Sequence, residues 1–337
     1  MSYIGLVYMP KKVSVIIPCF NAEKWIREAI ESCLTQTYAD VEIIVIDDGS
    51  TDNSLEIIKT FGNEIIWRSY PQQGGNHARN RGFELSQGEY IQYLDADDYI
   101  LPEKIEKQVN FLETTGADVV YGDWRHQRHL PDDSSFLDKI EISGVQADIL
   151  AALLANWWVA LAALMYKRSV VENSDRWDET LPAAQDRDFF LSVVMNGAKV
   201  AYQPGCYAVY RRYGSVTVST SSKARWLKSH HLVLKKAEQQ LLQKNQLSMK
   251  YRHALAKSYF DLAREALFFD YKQYLMFLEE SLVMFPEFKA NSKRRFYRLL
   301  QDILGFRQTE RIACTVLFVK KFISARTWEM RNRGYTG

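Results

Sequence analysis

The chain has 337 residues, of which 47% are hydrophobic, and 43 Lys and Arg stand against 41 Asp and Glu for a formal charge of +2. This is enough apolar material for a full core and more than one domain, and the near balance of charge excludes a nucleic-acid surface spread over the whole chain. Cys19, Cys33, Cys206 and Cys314 form no CxxC pair and suggest no disulfide framework, which fits a reducing compartment.

Residues 13–18 read as a short buried strand, β-branched and stopped by Pro18. Asn21 is placed to cap a helix running from about residue 23, whose inner face is Ile26, Ala29, Ile30, Cys33 and Leu34. Residues 41–46 form a second strand without polar alternation, as expected when both faces are covered. It ends in Asp47, Asp48, Gly49, Ser50, Thr51 and Asp52, where glycine permits a tight turn and the hydroxyl and carboxylate groups suit a helix start. A third strand is expected over 65–70, a helix over 76–86 after Gly74-Gly75, and a fourth strand over 90–94. Pro102 opens a further helix with Ile105, Val109 and Leu112 on one face, and a fifth strand covers 118–121.

This alternation of strand and helix predicts an α/β domain with a largely parallel sheet covered on both faces. Ligands of such sheets bind outside the carboxyl ends of the strands. Three polar clusters fall there: residues 18–21, 47–52 and 95–98. Asp95, Asp97 and Asp98 follow the fourth strand directly, and carboxylates so grouped suit Mg²⁺ or Mn²⁺, with phosphate oxygens and water completing the shell. Asp is also common at turns, so Asp98 has a purely conformational reading. Bare carboxylates repel phosphate, so a phosphate-bearing ligand here requires a bridging metal. Arg79 and Arg81 add positive charge from the following helix. Gly74-Gly75 is neither GxGxxG nor a Walker loop, which argues against a dinucleotide site or a P-loop, and residues 18–21 offer no Gly-rich phosphate loop of the kind a nucleotidyltransferase wants near its N-terminus.

VSVIIPCFN at 13–21, VIDDGSTDNS at 45–54, ARNRG at 78–82 and GEYIQYLDADD at 88–98 together resemble glycosyltransferase family 2, densely to about residue 122 and traceably to about 220. The resemblance implies a GT-A fold, a nucleotide-sugar donor (usually a UDP-sugar) and an inverting transfer. Carried over by position, it places Pro18 and Asn21 beside the nucleotide, Asp47 or Asp48 at the base, Arg79 near the diphosphate, and Asp95, Ala96 and Asp97 at the DxD element. Asp97 is then the direct ligand of Mn²⁺ or Mg²⁺, with Asp95 beside it.

LPAAQDRDFFL at 181–191 stands where the family carries a Glu-Asp pair whose Asp is the general base; here the pair is Gln185-Asp186. A base is needed because a sugar hydroxyl is a poor nucleophile at neutral pH. Asp186 also reads as a helix N-cap, and Asp188 is the fallback base or an acceptor contact. Trp157 and Trp158 follow a helical pattern including Val145, Ile149 and Leu153. They can stack on acceptor sugars or pack in the core, and Asn156 can bind hydroxyls. YAVYRRYGSVTV at 207–218 has Tyr213 where the family often has a His that assists the metal. Arg211 and Arg212 are candidates for the diphosphate, and Gly214 and Ser215 for a closing segment. Gln185 and Tyr213 keep open the alternative of a catalytically inactive nucleotide-sugar-binding module of a polysaccharide-assembly complex.

Residues 10–222 are therefore expected to form the catalytic domain and 223–337 a helical domain or extension outside the resemblance. Residues 287–337 hold 12 Lys and Arg against 4 Asp and Glu. They interleave with Phe296, Leu299, Ile303, Phe318, Phe322 and Trp328, a pattern that suits an anionic membrane surface or the solvated side of packed helices. No secretory apolar stretch precedes residue 13, and the apolar run at 312–319 falls short of the roughly 20 residues of a spanning helix. The expectation is a cytoplasmic protein, soluble or peripheral on the cytoplasmic face of a membrane, acting on a glycan or lipid-linked acceptor.

Overall fold

The computed structural model describes residues 11–213 and 222–333, with side chains described to residue 317 in the last helix. Its contacts divide the chain into two compact units, one ending at Gln239 and the other beginning at Gln240.

The first unit opens with β1 (Val13–Cys19), α1 (Ile26–Leu34), β2 (Val41–Asp47), α2 (Ser54–Lys59), β3 (Ile66–Ser69), α3 (Gly75–Leu85) and β4 (Tyr90–Tyr93). These strands stand in the order β3-β2-β1-β4 and all run parallel. Val15, Ile16 and Ile17 of β1 and Ile44, Val45 and Ile46 of β2 are all fully buried, which is why neither strand shows polar alternation. α1 buries Ile26, Ala29, Ile30 and Cys33 as its spacing requires, and leaves Leu34 exposed.

The chain continues through β5 (Tyr99–Ile100), α4 (Lys104–Thr115), β6 (Val119–His129), β7 (Ser135–Leu137), α5 (Ile149–Leu154), β8 (Leu164–Lys167), α6 (Arg168–Glu172), α7 (Gln185–Met195), β9 (Val200–Arg212) and α8 (Lys223–Gln243). The sheet extends as β4-β8-β6-β9-β5. β8 is antiparallel to both neighbours, β6 and β9 are parallel, and β5 returns antiparallel to β9. One half of the sheet is thus parallel and the other mixed. β6 runs past the expected end at residue 121, irregular around Asp123, and with β9 forms a long ribbon. Val145 does not join a helix: it lies exposed in a loop, and α5 begins at Ile149, where the Asp148 carboxylate accepts from the Ala151 N–H at 2.9 Å.

In the second unit α9 (Met249–Ala266) and α10 (Tyr271–Met284) pack together, and α11 (Arg295–Arg333) is interrupted at Gly305, whose φ of 76° no helix accommodates. Ser248 and Asp270 cap α9 and α10 through their side chains. Tyr259, Tyr274 and Phe277 are buried in this all-helical body. Helix α8 starts at the expected residue 223, yet most of its length belongs with the first unit.

Candidate active site

Parallel pairing brings the ends of β1, β2 and β4 to one edge of the sheet. The loops after β1 and β2 are joined by reciprocal hydrogen bonds. The Asn21 side-chain oxygen accepts from the Thr51 N–H at 2.8 Å, and the Asn21 N–H donates to Ser50 at 3.0 Å. Likewise Glu23 N–H donates to Asp52 and Asn53 N–H to Glu23. Asn21 therefore does not cap α1, which begins at Ile26: with φ of 49° it is turned to the neighbouring loop. Pro18 is half-buried beside this junction.

Asp47 and Asp48 are both buried and shape the loop beyond β2. Asp47 accepts from Ser69 at 2.7 Å, while Asp48 takes the N–H groups of Gln73 and Gly74, each at 2.8 Å. Gly49 follows them with φ of 75°, and a Cβ there would lie 2.9 Å from the Gln72 nitrogen, so both backbone geometry and space demand glycine.

Arg79 of α3 is the hub of the site. One guanidinium nitrogen donates to Asp95 at 2.6 Å and the other to Asn76 at 3.2 Å and Gln185 at 3.4 Å, while the Trp177 ring lies 4.5 Å beneath. Arg81, on the same helix, turns away and pairs with Glu84. Asp186, in the first turn of α7, is half-buried, and among the described residues nothing donates a hydrogen bond to its carboxylate. It does not cap α7: Ala184 holds that position with φ of 59°. Burial, then the negative charge of Asp95, push the Asp186 pKa up to about 6, and Arg79 pulls the other way. Asp95, Arg79 and Asp186 thus act on one another electrostatically, although they come from three elements.

Asp95, Asp97 and Asp98 bring carboxylate oxygens within 4.8 Å of one another. Burial and mutual repulsion raise the pKa of Asp97, and raise that of Asp98 well above the carboxylate range. Three crowded carboxylates, of which only Asp95 is paired with a cationic side chain, Arg79, among the described residues, make a hard oxygen donor set that fits a divalent ion such as Mg²⁺ or Mn²⁺. Asp95 gives one oxygen to Arg79 and Asp98 accepts from the Arg211 N–H at 2.9 Å, whereas no cationic side chain pairs with the Asp97 carboxylate among the described residues. Ala96 is buried between them.

β9 closes the cluster from the far side. The Arg211 side chain is buried between Trp25 and Tyr99, paired with Glu28, and donates to the Asp97 carbonyl at 3.1 Å. It is a strut under the acidic loop, with its guanidinium engaged by Glu28 and the Asp97 carbonyl. Arg212 lies over Tyr210, 5.0 Å from the ring. The Tyr213 hydroxyl donates to the Asp97 carboxylate at 2.9 Å, and its ring packs 5.2 Å from that of Trp25. Gly214 and Ser215 lie outside the described residues.

The two tryptophans part company. Trp157 is half-buried against Tyr121 at 5.2 Å, whereas Trp158 is 41% exposed on an aromatic group formed with Trp124 at 4.7 Å and Tyr210 at 6.0 Å, with His126 behind. Burial, followed by the charge of Asp98, raises the Tyr210 pKa, so this group borders the acidic cluster. The Asn156 side-chain oxygen accepts from Arg187 at 3.1 Å, and Asp188 is buried in an ion pair with Lys236 at 3.1 Å. Trp124, His126, Tyr210 and Trp177 escape sequence reading. Trp124 and His126 stand two apart on β6, and Tyr210 of β9 lies opposite His126, a grouping that becomes visible only once both strands are known to be long.

The sequence profile of Glycosyl transferase family 2 matches residues 14–214. The chain belongs to this family. An uncharacterized glycosyltransferase of Haemophilus influenzae is 35% identical over 168 residues, covering 47% of this chain and 63% of the relative. Glycosyltransferase GlyG of Streptococcus pneumoniae serotype 4 is 38% identical over 120 residues, covering 34% of this chain and 40% of the relative. The match thus spans less than two thirds of these relatives. Among solved structures, S. aureus TarS 1–349 in complex with UDP-GlcNAc superimposes with a TM-score of 0.60 at 19% identity, covering 82% of each chain, a likeness of GT-A type fold.

Within Glycosyl transferase family 2, two departures of this chain now have a physical setting. Gln185 stands in place of a Glu and offers its amide oxygen to Arg79, leaving Asp95 and Asp186 as the negative charges around that guanidinium. Tyr213 stands where the family often has a His, and it holds a DxD carboxylate by a hydrogen bond.

Proposed function

We propose that the chain is a metal-dependent inverting glycosyltransferase that moves a sugar from a nucleotide-sugar, a UDP-sugar by family habit, to a hydroxyl of a glycan or lipid-linked acceptor. The observation that carries this reading is the Asp95–Arg79–Asp186 network. A carboxylate with free lone pairs stands in the same electrostatic field as the DxD cluster. TarS, of similar fold, is solved with UDP-GlcNAc, which supports a nucleotide-sugar donor.

Asp95 and Asp97 would hold Mn²⁺ or Mg²⁺. That ion supplies charge neutralisation for the diphosphate and so makes it a better leaving group. Pro18, Asn21 and the buried Asp47 and Asp48 loop form the wall for the nucleotide. Arg79, fixed by Asn76 and Gln185, keeps Asp95 in place and adds positive charge where the diphosphate would gather. Asp186, ionised, takes the proton of the acceptor hydroxyl as its oxygen attacks the anomeric carbon. The bond from that carbon to the diphosphate oxygen breaks, the electron pair leaves with the nucleoside diphosphate, and the anomeric configuration inverts. Trp158, exposed at the border of the acidic cluster, offers the acceptor a stacking surface. Assay of released nucleoside diphosphate across donors and acceptors, with Mn²⁺ and with chelator, tests this. Metal-dependent transfer supports it, and donor binding without turnover for any acceptor would point instead to an inactive module.

A further inference from the structure

We infer that the second unit carries a docking surface for anionic lipid on the first segment of α11. Phe296 is 71% exposed, Leu299 54% and Ile303 67%. Their spacing of three and four residues sets them in one stripe along one side of the helix. Single exposed apolar side chains are ordinary, but an aligned Phe, Leu and Ile on one short segment form a surface that loses free energy in water. The opposite side is committed to the unit: Gln301 is buried and bonded to both backbone groups of Ala290, and Tyr297 bonds the buried Glu310.

The charges around the stripe say what covers it. Lys293, Arg294, Arg295 and Arg298 are all exposed, and none has a carboxylate partner among the described residues. Nearby cations are matched: Lys289 with Asp302, Arg307 with Glu279 and Arg264 with Glu310. These three cations are thus neutralised, whereas the four at the entry to the apolar stripe are not. An apolar wedge one helix wide, with unpaired cations beside it, fits the boundary between acyl chains and anionic headgroups, where the helix lies in the plane of the interface. No helix of the described residues is long and apolar enough to cross a membrane, so the contact is peripheral. Phe318, Phe322 and Trp328, further along the same sequence pattern, lie outside the described side chains. The inference rests on the second unit alone and stands or falls separately from the donor and base assignments.

The test is flotation of the full chain with vesicles of phosphatidylcholine alone and of phosphatidylcholine with phosphatidylglycerol. The wild-type chain should bind the anionic vesicles about tenfold more tightly or better, and lose that binding in high salt. R294E/R295E/R298E should remove the preference for anionic lipid, and F296S/L299S/I303S should remove flotation while raising solubility. Both variants should keep the wild-type melting temperature to within a few degrees, which separates lost docking from lost folding. Absence of flotation for the wild-type chain, equal binding to both vesicle types, or undiminished binding by the two variants would overturn the proposal. So would a wild-type dimer that F296S/L299S/I303S converts to monomer with no lipid binding in either form, since a second copy would then be the occupant.

Discussion

A carboxylate can act as a base only if it is ionised and still has lone pairs to offer. Asp186 meets the second condition because nothing donates to it among the described residues, whereas Asp47, Asp48 and Asp188 are spent on loop hydrogen bonds and an ion pair. D186N should leave donor binding intact and lower kcat by about 10²–10⁴-fold, read as nucleoside diphosphate release at saturating donor. The raised pKa sets the pH dependence. The base works deprotonated, so activity should fall as pH drops through an apparent value near 6, well above the ordinary Asp range. An acid limb at the ordinary value would contradict the burial of the Asp186 carboxylate, the largest cause of its raised pKa.

Lys104 gives a second prediction at this scale. It is fully buried, and its ammonium is surrounded by neutral acceptors: Gln92, Gln108 at 2.7 Å and the Leu164 carbonyl at 3.3 Å. Burial lowers its pKa to about 7. Between that value and 10.5 the unfolded chain binds the extra proton and the folded chain does not, so stability should rise with pH across that window and level off below it. Melting temperatures measured from pH 7 to 10 should climb for the wild-type chain, relative to K104M, whose curve lacks this contribution.

At the scale of elements, the loop after β2 shows how far sequence reading reaches. Strands β1, β2 and β4 are readable because short, largely apolar, β-branched or aromatic runs bounded by proline, glycine and carboxylates leave little else for them to be. The turn at Gly49 is readable too. G49A should cost roughly 1–3 kcal/mol, since it combines a positive φ with a close approach to the next backbone segment, and urea unfolding would measure it. What the loop binds is less readable. Asn21 in a left-handed conformation serves the neighbouring loop and not its own helix, and local sequence describes both outcomes equally well. The ion pairs of Arg211 and Asp188 are illegible in the sequence for a different reason. Their partners Glu28 and Lys236 lie far away in the chain, and only the packed sheet brings them together.

For the whole molecule, the order of strands decides what the acidic residues can do. The carboxyl ends of β1, β2 and β4 are set side by side by parallel pairing, and β9 folds back against the last of these loops through Arg211 and Asp98. The alternation of elements in the first 121 residues predicts the parallel half. The mixed half depends on β8 and β9, whose partners are distant in sequence, so their pairing direction is not legible beforehand. The same holds for the aromatic border of Trp124, Trp158 and Tyr210, which exists only because β6 and β9 run long beside each other. The GT-A sheet thus sets the acidic loop after β4 and the start of α7 within one electrostatic field, with Arg79 between Asp95 and Asp186.

The most direct measurement is a thermal-shift comparison of wild-type, D97A and D186N chains with UDP-sugars, in Mn²⁺ and in chelator. A ligand that binds the folded state raises the melting temperature by mass action, by about 2.7 kcal/mol of stability at a hundredfold excess over Kd. The wild-type chain and D186N should both be stabilised by donor only when the metal is present, and D97A should lose that dependence. Stabilisation that survives chelation, or that is equal in D97A and wild type, would contradict a metal-bridged donor site at the DxD loop.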